Sequence, residues 1–337
     1  MERQSFIRRM AAAMLCCAAY LLVPAPARAE ASEVRIARQS GLNYLPMMIM
    51  QDRKLLEAHA KKAGLGDVTV RWTQFSGGNM MNDALLSGGL DIASGGLTPM
   101  ITLWAKTRGN IDVRGIVARS TVQGHLVTRN PAVKTVADFT EKDKIALPAV
   151  KVSAMAVLLQ MAAEAAFGQG QHARLDRFTV SVANADATAA LIGGAHEVNS
   201  HFSWPPFSYY ELKNPAIHEV LNTNSVLGKT TLDVIWTTAA FRQKNPRLYA
   251  AFVAAMAEAT DIVNADRKAA AAFYRLASKE RASVEEIVDM MSDIEYTQVP
   301  QNSMKLASFM YRTGSIKVAP ASWKDLFFPE AHGLPGS

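Results

Sequence analysis

Cysteine is almost absent from this sequence of 337 residues, which holds only Cys16 and Cys17. After residue 29 the chain therefore offers nothing for a disulfide, a thiolate metal site or a cysteine nucleophile. That part also lacks a run of about 18 apolar residues, the length typical of a membrane-spanning helix. The composition of the whole chain is ordinary, with 49% apolar and 20% charged residues, which excludes a disordered, collagen-like or coiled-coil protein.

A strong charge of either sign is lacking as well. The formal net charge is +6, and the first 29 residues hold four arginines and one glutamate, so the remaining 308 residues carry +3. Because this positive charge is small, we expect that the protein binds neither nucleic acid nor an anionic membrane surface. A small anion is compatible with it.

The first 29 residues are typical of an export signal peptide. Three arginines, Arg3, Arg8 and Arg9, precede an uncharged run of 14 residues at 10–23. This run is shorter than the roughly 20 residues that a membrane-spanning helix needs, so a retained anchor is the less favoured alternative. The small residues of Ala27-Arg28-Ala29 predict cleavage after Ala29 and a periplasmic mature protein. The Arg8-Arg9 pair leaves twin-arginine export open beside the general route.

Short β-like runs alternate with helical patterns along the rest of the chain, which predicts an α/β fold. The length exceeds what one hydrophobic core usually organises, so we expect two lobes. Lobe 1 comprises residues 30–121 and 233–337, and lobe 2 comprises residues 122–232. Two crossings of the chain, near 119–128 and 225–237, would form a hinge that closes the lobes around a ligand.

The periodicity also places the individual elements. Strands are predicted at 34–38, 68–72, 90–93, 113–117, 126–128, 144–147, 178–182, 196–199, 216–221 and 232–237. Helices are predicted at 42–62, 79–86, 99–107, 153–167, 185–192, 246–277, 284–291 and 300–313. After Ala239 we expect only helices, and the Ala-rich ones return to cover lobe 1.

Four loops of small or hydroxyl residues lead directly into predicted helices, at 40–43, 76–79, 94–98 and 151–153. Helix N-termini carry unpaired N–H groups and a partial positive charge, which suit an anion without Arg or Lys. Three of the loops follow a strand closely, at the sheet edge where open α/β sheets bind ligands. Each loop alone is also what ordinary helix capping requires, so the hypothesis depends on several of them converging on one cleft.

A further candidate is the stretch from His201 to Phe207 (HFSWPPF), which combines a titratable ring with aromatic side chains. One interpretation is a ligand-binding wall in lobe 2. The other is structural, with Trp204 and Phe207 packing between lobe elements and His201 capping a helix.

At these residues the sequence resembles the periplasmic binding proteins for nitrate, taurine and alkanesulfonates that serve ATP-driven importers. The matching motif is Phe75-Ser76-Gly77-Gly78, then ALLSGGLDIA at 84–93, then Gly96-Leu97-Thr98-Pro99. The resemblance covers roughly residues 33–315. It implies a type II periplasmic binding protein fold, with two doubly wound lobes, a cleft between them and a two-strand hinge.

The resemblance also implies a function and a set of site residues. The function is to bind a small anionic organic solute and deliver it to the permease of an ABC transporter and, through the permease, to its ATPase, as a monomer and with no cofactor. The implied ligand-binding residues are Gly41, Asn43, Tyr44, Ser76, Gly77, Gly78, Gly96, Leu97, Thr98, Ser153, His201 and Phe202. The HFSWPPF stretch departs from the sulfonate binders, so the resemblance does not fix the ligand as a sulfonate.

Two other functions are less favoured by the sequence. Related folds include enzymes of thiamine-pyrimidine and menaquinone biosynthesis, but the chain has no G-x-S-x-G elbow and no phosphate-binding P-loop, so we expect no enzyme. Metal transport is suggested by His196-Glu197 and His201. These histidines are five residues apart instead of four and would not share a helix face, so we expect no metal site.

Overall fold

The structure is a computed structural model that describes residues 29–194 and 197–337. The predicted signal peptide, except for Ala29, and His196 therefore lie outside the described residues. Residues Ala31–Ser337 form one compact unit. In the described residues, no helix combines the length and the apolar character needed to cross a bilayer.

The first strands belong to the part of the molecule predicted as lobe 1. Two parallel strands open the fold, β1 (Glu33–Arg38) and β2 (Thr69–Gln74), with Ile36 opposite Trp72. A four-stranded sheet in the order β11-β4-β10-β3 lies beside them. Its strands are β3 (Ala93–Gly96), β4 (Val113–Val122), β10 (Thr231–Thr238) and β11 (Ile294–Tyr296). A bridge from Ile36 to Ile92 places β1 next to the chain that enters β3, and these six strands are together called the first sheet.

A second sheet has five strands in the order β7-β6-β8-β5-β9. These strands are β5 (His125–Thr128), β6 (Ile145–Leu147), β7 (Thr179–Ser181), β8 (Ser200–Ser203) and β9 (His218–Asn222). The β6 strand is parallel to β7 and β8, and β5 is antiparallel to β8 and β9. All five strands come from the part of the chain predicted as lobe 2.

Helices connect and cover the two sheets. The α-helices are α1 (Leu45–Asp52), α2 (Leu55–Lys62), α3 (Gly78–Leu86), α4 (Leu97–Thr107), α5 (Ala154–Phe167), α6 (Asn184–Gly193), α7 (Phe207–Leu212), α8 (Thr223–Leu227), α9 (Ala239–Lys244), α10 (Pro246–Ala265), α11 (Arg267–Ala277), α12 (Val284–Met290), α13 (Ser303–Arg312) and α14 (Trp323–Leu326). Short 3-10 turns occur at Leu42–Tyr44, Val136–Asp138, His172–Phe178, Met291–Asp293 and Pro329–Ala331. The four-stranded sheet is antiparallel and the five-stranded sheet is mixed, and their combination with covering helices confirms the predicted α/β fold.

The chain passes twice between the two sheets. It leaves the first sheet at the end of β4 and enters the second at His125, and it returns between β9 and β10 through α8. The first crossing is tightly packed, because a Cβ at Gly124 would lie 2.6 Å from Cε of Met155 and 3.1 Å from the carbonyl oxygen of Ser203. Both crossings fall close to the predicted lobe boundaries, and the division into two moving lobes stays a prediction.

The Ala-rich late helices cover the first part of the molecule. Helix α10 packs against α1 and α2, and it buries an apolar stripe that includes Phe252, Ala255 and Met256. Small alanine side chains allow the helix axes to approach closely, while the larger residues fill the space between them.

Some predicted elements are wrong in extent. The helix predicted at 42–62 is interrupted at Lys54, which has φ 51°, and the helix predicted at 246–277 is interrupted at the capping residue Asp266. The strand predicted at 196–199 lies instead at Ser200–Ser203, and the strand predicted at 90–93 begins only at Ala93. The expectation of helices alone after Ala239 is wrong too, because β11 pairs with β4.

Candidate functional site

A narrow cavity lies between the two sheets, with walls from both. Gly78, Gly96 and Asp233 line it from the first sheet's side, and Ser153 and Trp204 line it from the second. Its volume is about 20 Å³, which is room for about one water molecule. A larger molecule therefore enters this inner cavity only when the two walls separate.

The N-termini of three helices meet at the inner cavity. Helix α3 begins at Gly78, α4 follows Gly96, and α5 follows Ser153. The residues before α3 and α4 provide no side-chain cap, whereas Ser153 Oγ accepts a hydrogen bond from the backbone N–H of Ala156 at 3.2 Å. Because unpaired N–H groups and the helix dipoles concentrate positive potential there, this end of the cavity suits the oxygen atoms of an anion.

The two walls touch beside the cavity. Thr98 Oγ1, on the first wall, donates a hydrogen bond to the carbonyl oxygen of Val152 on the second, at 2.7 Å. A Cβ at Gly96 would lie 3.8 Å from Cβ of Ala154, and a Cβ at Gly77 would lie 3.6 Å from the carbonyl oxygen of Pro148. The helix N-termini of opposite walls thus lie close together at these positions.

Asp233 is the centre of a buried polar cluster on the first wall. Its Oδ2 accepts hydrogen bonds from Asn43 Nδ2 and Ser120 Oγ, each at 2.8 Å. Its Oδ1 lies 3.0 Å from Nη2 of Arg119, a fully buried side chain. The Arg119 guanidinium also donates to the carbonyl oxygen of Asn43 and stacks 3.6 Å above the ring of Tyr44. The ion pair leaves the cluster close to neutral.

Tyr44 supports the wall from behind. Burial raises the pKa of its phenol, so the hydroxyl stays protonated, and it donates to Gln39 Oε1 at 2.8 Å. Gln39 lines the inner cavity. Tyr44 therefore orients a residue of the cavity wall.

A second cavity adjoins the first and shares Gln39 with it. This outer cavity has a volume of about 240 Å³ and is lined mainly by hydroxyl, amide and aromatic side chains. They include Ser40, Gln74, Phe75, Ser76, Asn184 and Phe207. None of the described residues that line it carries a formal charge.

His201 lies behind the outer cavity in a buried network. Its Nδ1 is 2.6 Å from Oε1 of Glu211, and its Nε2 is 3.2 Å from Oδ1 of Asn184. Glu211 also accepts hydrogen bonds from Ser203 and Thr188. Since His201 is fully buried and Asn184 lines the outer cavity, the imidazole positions Asn184 and does not itself face the cavity.

The structure brings some of the predicted site residues together and separates others. Those that line the inner cavity are Gly78, Gly96 and Ser153, and Ser76 lines the outer one. Those that lie beside or behind the cavity walls are Gly41, Gly77, Asn43, Tyr44, Thr98 and His201. Leu97 and Phe202 are buried in the hydrophobic core.

Several residues of the site were not among the predicted ones, and four of them carry polar groups at or beside the inner cavity. These are Gln39, Arg119, Trp204 and Asp233. Asp233 and Arg119 each lie in a strand that is almost wholly buried, and a charge in such a strand is a detectable signal because an isolated buried charge needs a partner. Trp204 belongs to the HFSWPPF stretch. The sequence indicated an aromatic wall there, but the residues predicted to contact the ligand were His201 and Phe202.

Within residues 29–194 and 197–337, no group of three or more His, Cys, Asp or Glu side chains is arranged to hold a metal ion. His196 lies outside these ranges, so the His196–His201 pair is not described.

The geometry is that of an α/β protein with a closed cleft between two sheets, walled by helix N-termini. A model of the NMT1-like family matches residues 27–277, most of the chain, and the protein belongs to this family. No curated protein matches the sequence.

Solved structures of similar fold include binding proteins of bacterial transporters. The alkanesulfonate-binding protein SsuA from Xanthomonas axonopodis pv. citri, bound to MOPS, is 18% identical, with a TM-score of 0.68 over 90% of this chain and 98% of its own. The periplasmic nitrate-binding protein NrtA from Synechocystis is 15% identical, with a TM-score of 0.64 over 90% and 86%. A Candida albicans protein described as having the generic periplasmic binding protein fold is 15% identical, with a TM-score of 0.65 over 86% and 92%. These likenesses confirm the predicted fold.

Proposed function

We propose that the protein is the extracytoplasmic solute-binding component of an ABC importer. It binds a small anionic organic solute, of the sulfonate, taurine or nitrate-like type, between its two lobes and delivers it to the permease and, through the permease, to the ATPase. The observation that carries this proposal is the convergence of three helix N-termini, from both walls, on one cavity.

The charge distribution supports an anion held by backbone groups. The described residues that line the inner cavity include no Lys or Arg, and the Arg119 guanidinium is paired with Asp233. Helix N-termini then provide the positive potential, and closure of the walls strengthens it by removing water. The alkanesulfonate-binding and nitrate-binding proteins of similar fold are described as binding anions of this kind.

The size of the inner cavity supports a hinged mechanism. A cavity of about 20 Å³ excludes a solute until the walls separate, and the two chain crossings near Gly124 and α8 are the places where backbone rotation separates them. The moving bodies are residues 30–121 with 233–337 and residues 122–232. After cleavage behind Ala29 the protein works in the periplasm as a monomer.

The side chains around the cavity favour binding over catalysis. Asp233 is the one titratable residue among the described residues that line the inner cavity, and its carboxylate is engaged by Arg119, Asn43 and Ser120. A general base or nucleophile would need a free, oriented group next to the substrate. The enzymes on related folds are therefore the less favoured alternative.

Native mass spectrometry of freshly purified protein tests this proposal, followed by calorimetry with sulfonates, nitrate and carboxylates. We expect a co-purified small anion or a saturable binding signal. Stabilisation follows from the affinity and reaches about 2.7 kcal/mol at a ligand concentration one hundred times Kd. If no anion binds and none raises the melting temperature, the proposal is wrong.

A further inference from the structure

Asp233 introduces a hydrogen-bond acceptor into a site whose other polar groups mainly donate. It carries the one formal charge among the described residues that line the inner cavity, and it is 5% exposed. The three helix N-termini around the cavity offer N–H groups. A carboxylate beside bound anionic oxygens repels them. A hydrogen bond donated by the solute to this carboxylate would offset the repulsion.

The acceptor capacity of this wall is not filled. An ionised carboxylate accepts about four hydrogen bonds, and Asp233 receives two at Oδ2. At Oδ1 it has the 3.0 Å ionic contact with Arg119 Nη2, and that nitrogen makes no hydrogen bond of normal geometry. Oδ1 of the neighbouring Asn43 is buried without a hydrogen-bond partner. Two acceptors on the first wall thus remain for a donor.

The opposite wall holds an unused donor. Trp204 is 8% exposed, lines the inner cavity, and its indole Nε1–H has no hydrogen-bond partner. A Cβ at Gly41 would lie 3.1 Å from Trp204 Nε1 and 2.5 Å from Asn43 Oδ1. An unpaired donor of one wall and an unpaired acceptor of the other therefore lie close to the same glycine.

We propose that the solute is a singly charged anion that also carries an O–H or N–H donor. Its anionic oxygens accept from the helix N-termini and from Trp204 Nε1–H, and its donor is accepted by the carboxylate of Asp233 or by Asn43 Oδ1. This specificity rests on the function proposed above, because it names the class of anion that the same site selects. An anion without a donor leaves the buried acceptors unpaired and faces the Asp233 charge uncompensated.

Calorimetry with matched pairs of anions tests this specificity on the unaltered protein. The pairs are ethanesulfonate against 2-hydroxyethanesulfonate and propanoate against 3-hydroxypropanoate, whose members differ by one hydroxyl group. We expect the hydroxylated member of the preferred pair to bind at least about tenfold more tightly, because hydrogen bonds to charged groups are the stronger ones. Equal affinity within a pair that binds overturns the donor requirement and leaves anion binding intact. If no member binds although another anion does, the inference fails and the proposed function stands; if no anion binds at all, both fail.

Two variants assign the contacts. Trp204→Phe keeps an aromatic side chain and removes the N–H, so it should weaken both members of a pair by a similar factor and leave their ratio unchanged. Asp233→Asn removes the charge and should reduce the preference for the hydroxylated member to about threefold or less. If Asp233→Asn folds and keeps the full preference, Asp233 is not the acceptor. Should it fail to fold, the comparison of the anion pairs on the unaltered protein still decides the donor requirement.

Discussion

Gly41 shows how a single residue shapes the cleft. Its φ of 141° lies in a region that side chains with a Cβ rarely adopt, and a Cβ there would lie 2.5 Å from Asn43 Oδ1. Only glycine combines this backbone conformation with such close approach of Asn43 and Trp204. The residue thus sets the separation of the two walls although it has no functional group of its own.

The Gly41→Ala variant should be less stable by about 2 kcal/mol or more, since it combines backbone strain with overlap at Asn43. Urea unfolding measures this loss. Gly193→Ala is the matched control, because a Cβ at Gly193, the last residue of α6, meets no atom within 4 Å. The control should change the free energy of unfolding by less than about 1 kcal/mol. Equal effects of the two substitutions would contradict the special role of Gly41.

Ser153 combines a helix cap with a position on the cavity wall. In Ser153→Ala, loss of the cap should cost about 1 kcal/mol of stability, and loss of the hydroxyl donor should weaken anion binding about three- to tenfold. Ser283→Ala is the control, since Ser283 Oγ caps α12 in the same way but does not line either cavity. Calorimetry and urea unfolding should find both variants destabilised and only Ser153→Ala impaired in binding. An unchanged Kd for Ser153→Ala would remove this side chain from the site.

The sequence could predict glycine and serine positions at the cleft better than it could predict side-chain contacts. Loops before helices are local patterns, and the three that reach the inner cavity were recognisable as such. The pairing of Asp233 with Arg119 and Asn43 joins residues far apart in the chain, which no local pattern encodes. His201 looked like a contact because it follows a strand, but the side chain of Glu211, ten residues later, draws its ring away from the cavity.

At the scale of elements, His125 links the two sheets at the first crossing. Its Nδ1 contacts Glu219 on β9, and its Nε2 lies 3.3 Å from Oδ2 of Asp293, in the 3-10 turn before β11. A neutral imidazole donates from one nitrogen, so only the protonated ring donates to both carboxylates. Burial lowers the pKa of His125, but the hydrogen bonds from the ring to Asp293 and Glu219 outweigh it, and the pKa is raised overall.

This raised pKa predicts the sign of a pH dependence. The link stabilises the fold fully below the unfolded-state value of about 6.5 and is lost as the pH rises through the higher folded-state value. Urea unfolding between pH 5.5 and about 8.5 should show that His125→Gln lowers stability at acidic pH, on the order of 1 kcal/mol, and less at alkaline pH. The control is His218→Gln on β9, whose ring bonds the backbone carbonyl of Val133, and this variant should keep the wild-type pH dependence. A loss from His125→Gln that does not vary with pH would contradict the link.

The elements that the sequence predicts least well are those without side-chain periodicity. Strand β3 reads Ala-Ser-Gly-Gly, and it forms because Trp236 of the neighbouring strand fills the space at Gly95, where a Cβ would lie 3.1 Å from the indole ring. Strand β11 has three residues, too few for an alternating pattern to be seen. The long amphipathic helices were predictable because each buries one continuous face.

For the whole molecule, the free energy of closure decides how a solute is captured. The two predicted lobes are joined by the hydrogen bond from Thr98 Oγ1 to the carbonyl oxygen of Val152 at the inner cavity, and elsewhere by contacts that include the ion pairs Arg312–Glu164 and Lys213–Glu286. One hydrogen bond is worth about 1 kcal/mol, which changes a closed-to-open ratio about fivefold. A solute that bridges the walls adds contacts of this size to the closed form and shifts the population towards it.

Thr98→Val tests how much this hydrogen bond contributes to closure, because valine has nearly the shape of threonine but cannot donate to Val152. The chain after Ala29 has no cysteine, so cysteines introduced at the exposed positions Lys61 and Arg177 accept a pair of spin labels, one in each predicted lobe. Distance measurements on the unliganded Thr98→Val protein should show that the ratio of closed to open molecules is reduced about fivefold. In the control Thr102→Val, the lost hydroxyl bonds the carbonyl oxygen of Thr98 within the same helix, so the distance distribution should match that of the unaltered protein. If Thr98→Val leaves the distribution unchanged, closure does not depend on this contact, and the walls separate about some other boundary.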